Sequence, residues 1–257
     1  MIRTFRLYRL TKMQKMAVAE AKERLKKVRL ATISDGASPR LSRLLGDLAD
    51  SLQNERLDGP RPRPGHWEMT LHGKWPARRI TVAPGPLPRI PVEVMIWLRR
   101  VSGWLVVFEA SRALGDAGVY LAAQALANDV CAVAHLSLEQ AHWLAIAGWL
   151  TKQGGDLLGG RFYKTKAGGT ELESITLRRA PHSDPALLRE SFENAQGIGE
   201  LLLETPEIEA AGGGLKCRIG RSGNIRVYGS QITDPMIDSL LGELEELWEN
   251  VPTESKG

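Results

Sequence analysis

The chain has 257 residues, 43% of them hydrophobic and 25% charged, with a formal net charge of +4 and a pI near 9.1. That length suits one large domain or two small ones, and the composition excludes a mostly disordered chain, a collagen-like repeat and a disulfide scaffold. Two cysteines, Cys131 and Cys217, form no CxxC or Cys/His cluster, which excludes a structural zinc site of ordinary spacing.

Residues 1–58 are expected to form a basic helical arm. The first 30 residues hold ten Lys/Arg and two acids. Met13, Ala17, Ala21, Leu25 and Val28 recur at helical spacing, so a helix is expected over 10–30. Arg3, Arg6, Arg9, Lys12 and Lys15 repeat every three residues. On a helix such a row slips about 60° per step and wraps positive charge around it. A second helix is expected from Pro39 to Gln53, with Leu41, Leu44, Leu45, Leu48 and Leu52 on one side. Gly59-Pro-Arg-Pro-Arg-Pro-Gly65 then reads as a stiff linker over 59–65.

Residues 66–257 read as an α+β domain, with two similar halves at 66–155 and 156–257 as one arrangement the element order allows. Hairpins are expected at Trp67–Gly73 with Arg78–Val82, at Val92–Arg99 with Trp104–Glu109, at Leu157–Lys164 with Glu171–Arg178, and at Leu215–Ile219 with Asn224–Tyr228. Helices are expected at Arg112–Leu126, from a capping box Ser137-Leu-Glu-Gln140 to Gln153, from Ser183-Asp-Pro185 to Glu204, and from Thr233-Asp-Pro235 onward. Hairpins imply antiparallel pairing. The expected architecture is therefore a curved antiparallel sheet backed by helices on one face, with the other face open.

The segment Leu215-Lys-Cys-Arg-Ile-Gly-Arg-Ser-Gly-Asn-Ile-Arg-Val-Tyr-Gly229, followed by an amphipathic helix to Asn250, resembles one hairpin-plus-helix unit of a half-repeat of the TATA-box-binding protein family. The resemblance implies a helix-backed curved antiparallel sheet. The paired phenylalanines with which that family kinks DNA have no counterpart in the chain.

Catalytic signatures are missing. There is no G-x-S-x-G elbow, no phosphate-binding P-loop and no dinucleotide fingerprint. Glu139 and His142, with His135 one turn earlier, have metal-ligand spacing on a helix, but no second such pair exists, and a surface polar pair is the plainer reading. No catalytic residue, metal or cofactor is therefore assigned. Both cysteines sit beside apolar residues and are expected in the core, which fits a reducing, cytoplasmic setting. No apolar run approaches the roughly 18 residues of a membrane span, so no membrane partner is expected.

Charge is the remaining signal. Residues 1–65 carry +8, 66–182 carry +4 and 183–257 carry −8. The expected function is non-enzymatic nucleic-acid binding, with phosphates held by Arg3, Arg6, Arg9, Lys12, Lys15, Lys22, Arg24, Lys26 and Lys27. Arg78, Arg79, Arg99 and Arg100 add contacts where tryptophans interleave, and Trp67, Trp75 and Trp104 are the candidates for exposed stacking groups. The alternative is an oligomerisation or protein-interaction scaffold that pairs the basic head with the acidic tail.

Overall fold

The computed structural model describes residues 1–33, 37–77, 88–178, 185–249 and 251. The fold is α+β with antiparallel strand pairing. Two compact units divide the chain: Phe5–His135, and Met1–Thr4 together with Leu136–Gly257. The expected boundary at 59–65 is therefore not where the units part.

In the Phe5–His135 unit the strand order is β2 (Gln53–Pro62), β3 (His66–Pro76), β4 (Arg89–Arg99), β5 (Trp104–Phe108) and β1 (Ile2–Leu10), with the short β6 (Val133–His135) also on β1. Three helices, α1 (Val18–Lys27), α2 (Pro39–Ser51) and α3 (Arg112–Ala127), share one core with Tyr8, Leu57, Leu71, Ile96 and Val107 from the strands. Helices backing one face of the sheet match the expectation.

The basic helical arm does not exist as a separate element. Residues 2–10 form a strand paired to β5, with Phe5 opposite Phe108 and Tyr8 opposite Leu105. Phe5 and Leu7 are buried on one face of β1, and Tyr8 and Leu10 on the other. A strand buried on both faces lacks the polar/apolar alternation that would have marked it. The helix that follows is shorter than 10–30, and its Ala21 and Leu25 are fully buried.

The Pro/Arg segment is likewise no spacer. It lies largely in β2, whose Leu57 faces Leu71 and whose Arg61 faces Glu68. Prolines are tolerated there because β2 pairs on one side only within its unit, and irregularities interrupt its register between Gln53 and Arg56 and between Asp58 and Arg61. Gly59 has φ +116°, and a Cβ there would lie 2.8 Å from the Glu68 carbonyl oxygen, so only glycine fits.

The hairpin expected from Trp67–Gly73 and Arg78–Val82 is replaced by β3 pairing with β4 in a long register from His66–Arg99 to Pro76–Arg89; residues 78–82 lie outside the described residues. The β4–β5 hairpin and α3 appear as expected.

In the other unit, α4 (Gln140–Gln153) leads into strands ordered β8 (Thr170–Arg178), β7 (Asp156–Ala167), β9 (Gly197–Ile208), β10 (Gly213–Gly220) and β11 (Asn224–Tyr228), with α5 (Pro185–Glu193) and α6 (Asp234–Glu249). The hairpins β7–β8 and β10–β11 and the final helix fall where expected. The helix expected to run to Glu204 stops at Glu193, and β9 replaces its second half. The cause is a bulge. Arg161 faces Glu200 while Phe162 faces Ile198, so Gly199 is an extra residue. The bulge places buried Ile198 and Leu201 three apart, a spacing that mimics a helix.

The sheet face expected to be open is buried. Phe5, Leu7, Trp97, Val106 and Phe108 on it are all almost fully inaccessible. Trp67, Trp75 and Trp104 are buried too and offer no exposed stacking surface. Cys217 is in the core, where burial pushes its thiol up to about 12, whereas Cys131 is exposed; both are free thiols. Among the described residues, no helix is long and apolar enough to cross a membrane.

Candidate functional site

The cations selected from the sequence separate into three groups. The first is tied off. Arg3 forms an ion pair with Asp234 at the start of α6. Arg6 hydrogen-bonds to the Tyr8 phenol. Arg99 is buried on β4, beside the stacked pair His66 and Trp97. Arg100 lies over the Trp67 ring at 4.8 Å from its centroid. Arg78 and Arg79 lie outside the described residues.

The second group is paired within or beside α1. Arg24 reaches Glu20 at 2.8 Å and Gln14 at 2.6 Å, and Lys26 reaches Glu23 at 2.7 Å. The Lys26 ammonium holds the Glu23 carboxyl below its ordinary range. Lys12 is 3.8 Å from Asp129. All of these pairs are exposed and weak, so a phosphate can displace the carboxylate.

The third group consists of Arg9, Lys15, Lys22 and Lys27, which are exposed and form no ion pair within 4.0 Å among the described residues. Ala21, Leu25 and Val28 bury the inner side of the α1 segment and so hold Lys22 and Lys27 toward solvent. The exposed cations not marked out by the sequence include Arg40 and Arg43 on α2. Isolated arginines in a leucine-patterned helix carry no local mark of a site.

Counted by unit, the charge divides more sharply than by segment. Phe5–His135 carries 21 Lys/Arg against 12 Asp/Glu, or +9. The other unit carries 13 against 18, or −5.

The same basic unit holds a polar group built deep in its core. The Tyr8 hydroxyl donates to Asp116 Oδ1 at 2.7 Å, and both residues are buried. Burial, with Asp116 adding to it, drives the Tyr8 phenol far above its ordinary range and raises Tyr120 as well. Both phenols therefore stay protonated. Arg112, one turn before Asp116 on α3, places its Nε 3.8 Å from Asp116 Oδ2. Asp116 forms part of the floor of a cleft of about 690 Å³, lined also by Ser38, Arg40, Leu41, Leu44, Ser111, Arg112, Ala113, Tyr120 and His135.

The Glu139/His142 spacing serves a cap. The Glu139 backbone N–H donates to His142 Nδ1 at 3.1 Å, two residues beyond the Ser137 expected to open the helix. No metal cluster of His, Cys, Asp or Glu exists among the described residues. Burial depresses the His142 pKa, so between about pH 6.5 and its lower folded value the unfolded chain binds more protons. Stability is therefore expected to fall as pH drops through that window and then level off. Melting curves across it should show the loss in wild type and a flatter response in His142→Gln, whose side chain still caps α4.

Compared with known proteins, the chain matches no protein-family model and no curated protein.

Proposed function

We propose that the protein binds nucleic acid without catalysis, through the cationic surface of the Phe5–His135 unit. The observation that carries this reading is the +9 charge of that unit, with Lys15, Lys22 and Lys27 exposed and without an ion pair among the described residues, and with Lys22 and Lys27 held outward by the buried face of α1. A fixed cationic surface attracts a phosphate backbone and releases its counterions, a sequence-independent source of affinity. The resemblance of the β10–β11–α6 segment to the TATA-box-binding protein half-repeat unit points to the same class of partner. The buried tryptophans argue against base stacking by Trp67, Trp75 or Trp104. Phosphate contact is thus the main mode, and little sequence preference is expected.

The test is binding to duplex DNA across a salt series. Wild type gives an affinity that falls steeply with salt. Changing Lys15, Lys22 and Lys27 together to Gln lowers the slope of log K against log salt by about 3, at ~0.9 per phosphate neutralised. An unchanged slope overturns the reading.

The −5 charge of the other unit favours a second reading, salt-sensitive self-association by charge complementarity. Light scattering over the same salt series separates the two. A mass that falls with salt without DNA supports self-association, and a constant monomer mass removes it.

A further inference from the structure

The cleft over Asp116 has the composition of a small-ligand site rather than of a phosphate-tracking surface. Its volume of about 690 Å³ lies inside the range of roughly 300–1,000 Å³ typical of small-molecule sites. Leu41, Leu44 and the Tyr120 ring supply apolar wall, and the two leucines are only half-buried. Arg40 and Arg112 flank that wall, and Arg40 has no partner among the described residues. Asp116 is already engaged by the Tyr8 hydroxyl and held near Arg112. Two guanidinium groups against one carboxylate leave one positive charge for a ligand to balance. Ser38 and Ser111 use their Oγ atoms as acceptors for the N–H groups of Leu41 and Leu114, each at 3.3 Å. Their hydroxyl protons remain free to donate.

The geometry points to a binding site for a small organic anion, a carboxylate or phosphomonoester on an apolar frame. The frame lies on Leu41, Leu44 and Tyr120, and the anionic head meets Arg40 and Arg112. A guanidinium pair binds such heads through planar two-point hydrogen bonds. The site is separate from the Lys15, Lys22 and Lys27 surface and does not depend on the nucleic-acid reading.

Fluorescence titration of the full chain tests it with two probes. One is 8-anilinonaphthalene-1-sulfonate; the other is N-phenyl-1-naphthylamine, the same frame without the anion. Saturable one-to-one binding of the sulfonate is expected, with the neutral frame at least about 10-fold weaker. The double variant Arg40→Gln/Arg112→Gln changes two exposed side chains and leaves the Tyr8 hydrogen bond to Asp116 in place, so it is expected to stay folded, which a melting curve checks. It is expected to weaken the sulfonate about 10-fold or more and to leave the neutral probe unmoved. Competition by decanoate supports a carboxylate ligand, and competition by phenyl phosphate supports a phosphomonoester. Competition by neither, no saturable binding, or a double variant that binds the sulfonate like wild type overturns the proposal. The Lys15, Lys22 and Lys27 variant is expected to retain sulfonate binding, which keeps failure here distinct from failure of the nucleic-acid reading.

Discussion

Replacing Tyr8 with phenylalanine is expected to lower the unfolding free energy by about 2 kcal/mol, because hydrogen bonds to charged groups contribute ~1.5–3 kcal/mol. The ring keeps its volume and packing, so the loss comes from the hydroxyl alone. That hydroxyl donates to a carboxylate whose residue is only 5% exposed, at 2.7 Å, on the first turns of α3. Without it, Asp116 keeps, among the described residues, the longer approach of Arg112. Asp116→Asn is expected to cost less, since the amide oxygen still accepts from Tyr8 and no charge remains to satisfy. The double variant should then lose little beyond the single Tyr8 change, because the deprived group is neutral. Urea denaturation of the four proteins gives the coupling directly. A Tyr8→Phe variant as stable as wild type would show that the pair adds nothing to the fold.

Tyr8 also illustrates which parts of the molecule were legible in the sequence. The hairpins β4–β5, β7–β8 and β10–β11 were, since each turns at glycine with positive φ: Gly103, Gly168 with Gly169, and Gly223. Helices α3 and α6 were legible through their caps and apolar periodicity. The strands missed are those in which another pattern overlies the alternation. In β1 it is an arginine every three residues and burial on both faces. In β2 it is proline, tolerated on a strand with one partner. In β9 it is the Gly199 bulge, which resets the spacing. The site was legible only as net charge. Which cations are free depends on partners remote in sequence. Arg3 finds Asp234 across 231 residues, and Arg6 is committed to Tyr8. The cleft draws Arg40, Asp116 and His135 from separate elements, and no local motif announces such a convergence.

The second large effect separates stability from binding. Replacing Trp97 with alanine is expected to cost about 3–5 kcal/mol, the usual range for deleting a buried aromatic side chain. Trp97 is fully buried on β4, stacked on His66 at 4.0 Å between ring centroids and tilted against Phe108 at 4.6 Å. Its Nε1 donates to Met95 Sδ at 3.2 Å. Aromatic pairs of this kind add ~0.5–1.5 kcal/mol each beyond area burial, so the loss should exceed that of an isolated buried ring. Trp97→Phe retains a ring in the stack and is expected to lose less. Arg99 and Arg100 follow on the same strand and turn, which made Trp97 part of a basic-aromatic run in the sequence. In the fold the ring faces protein on both sides and cannot receive a base. On the proposed nucleic-acid reading, the affinity of the folded fraction should therefore be unchanged in Trp97→Ala, while the denaturation midpoint falls sharply. A variant that melts like wild type yet loses affinity would place Trp97 at the interface, and would require the buried face of this sheet to open when nucleic acid binds.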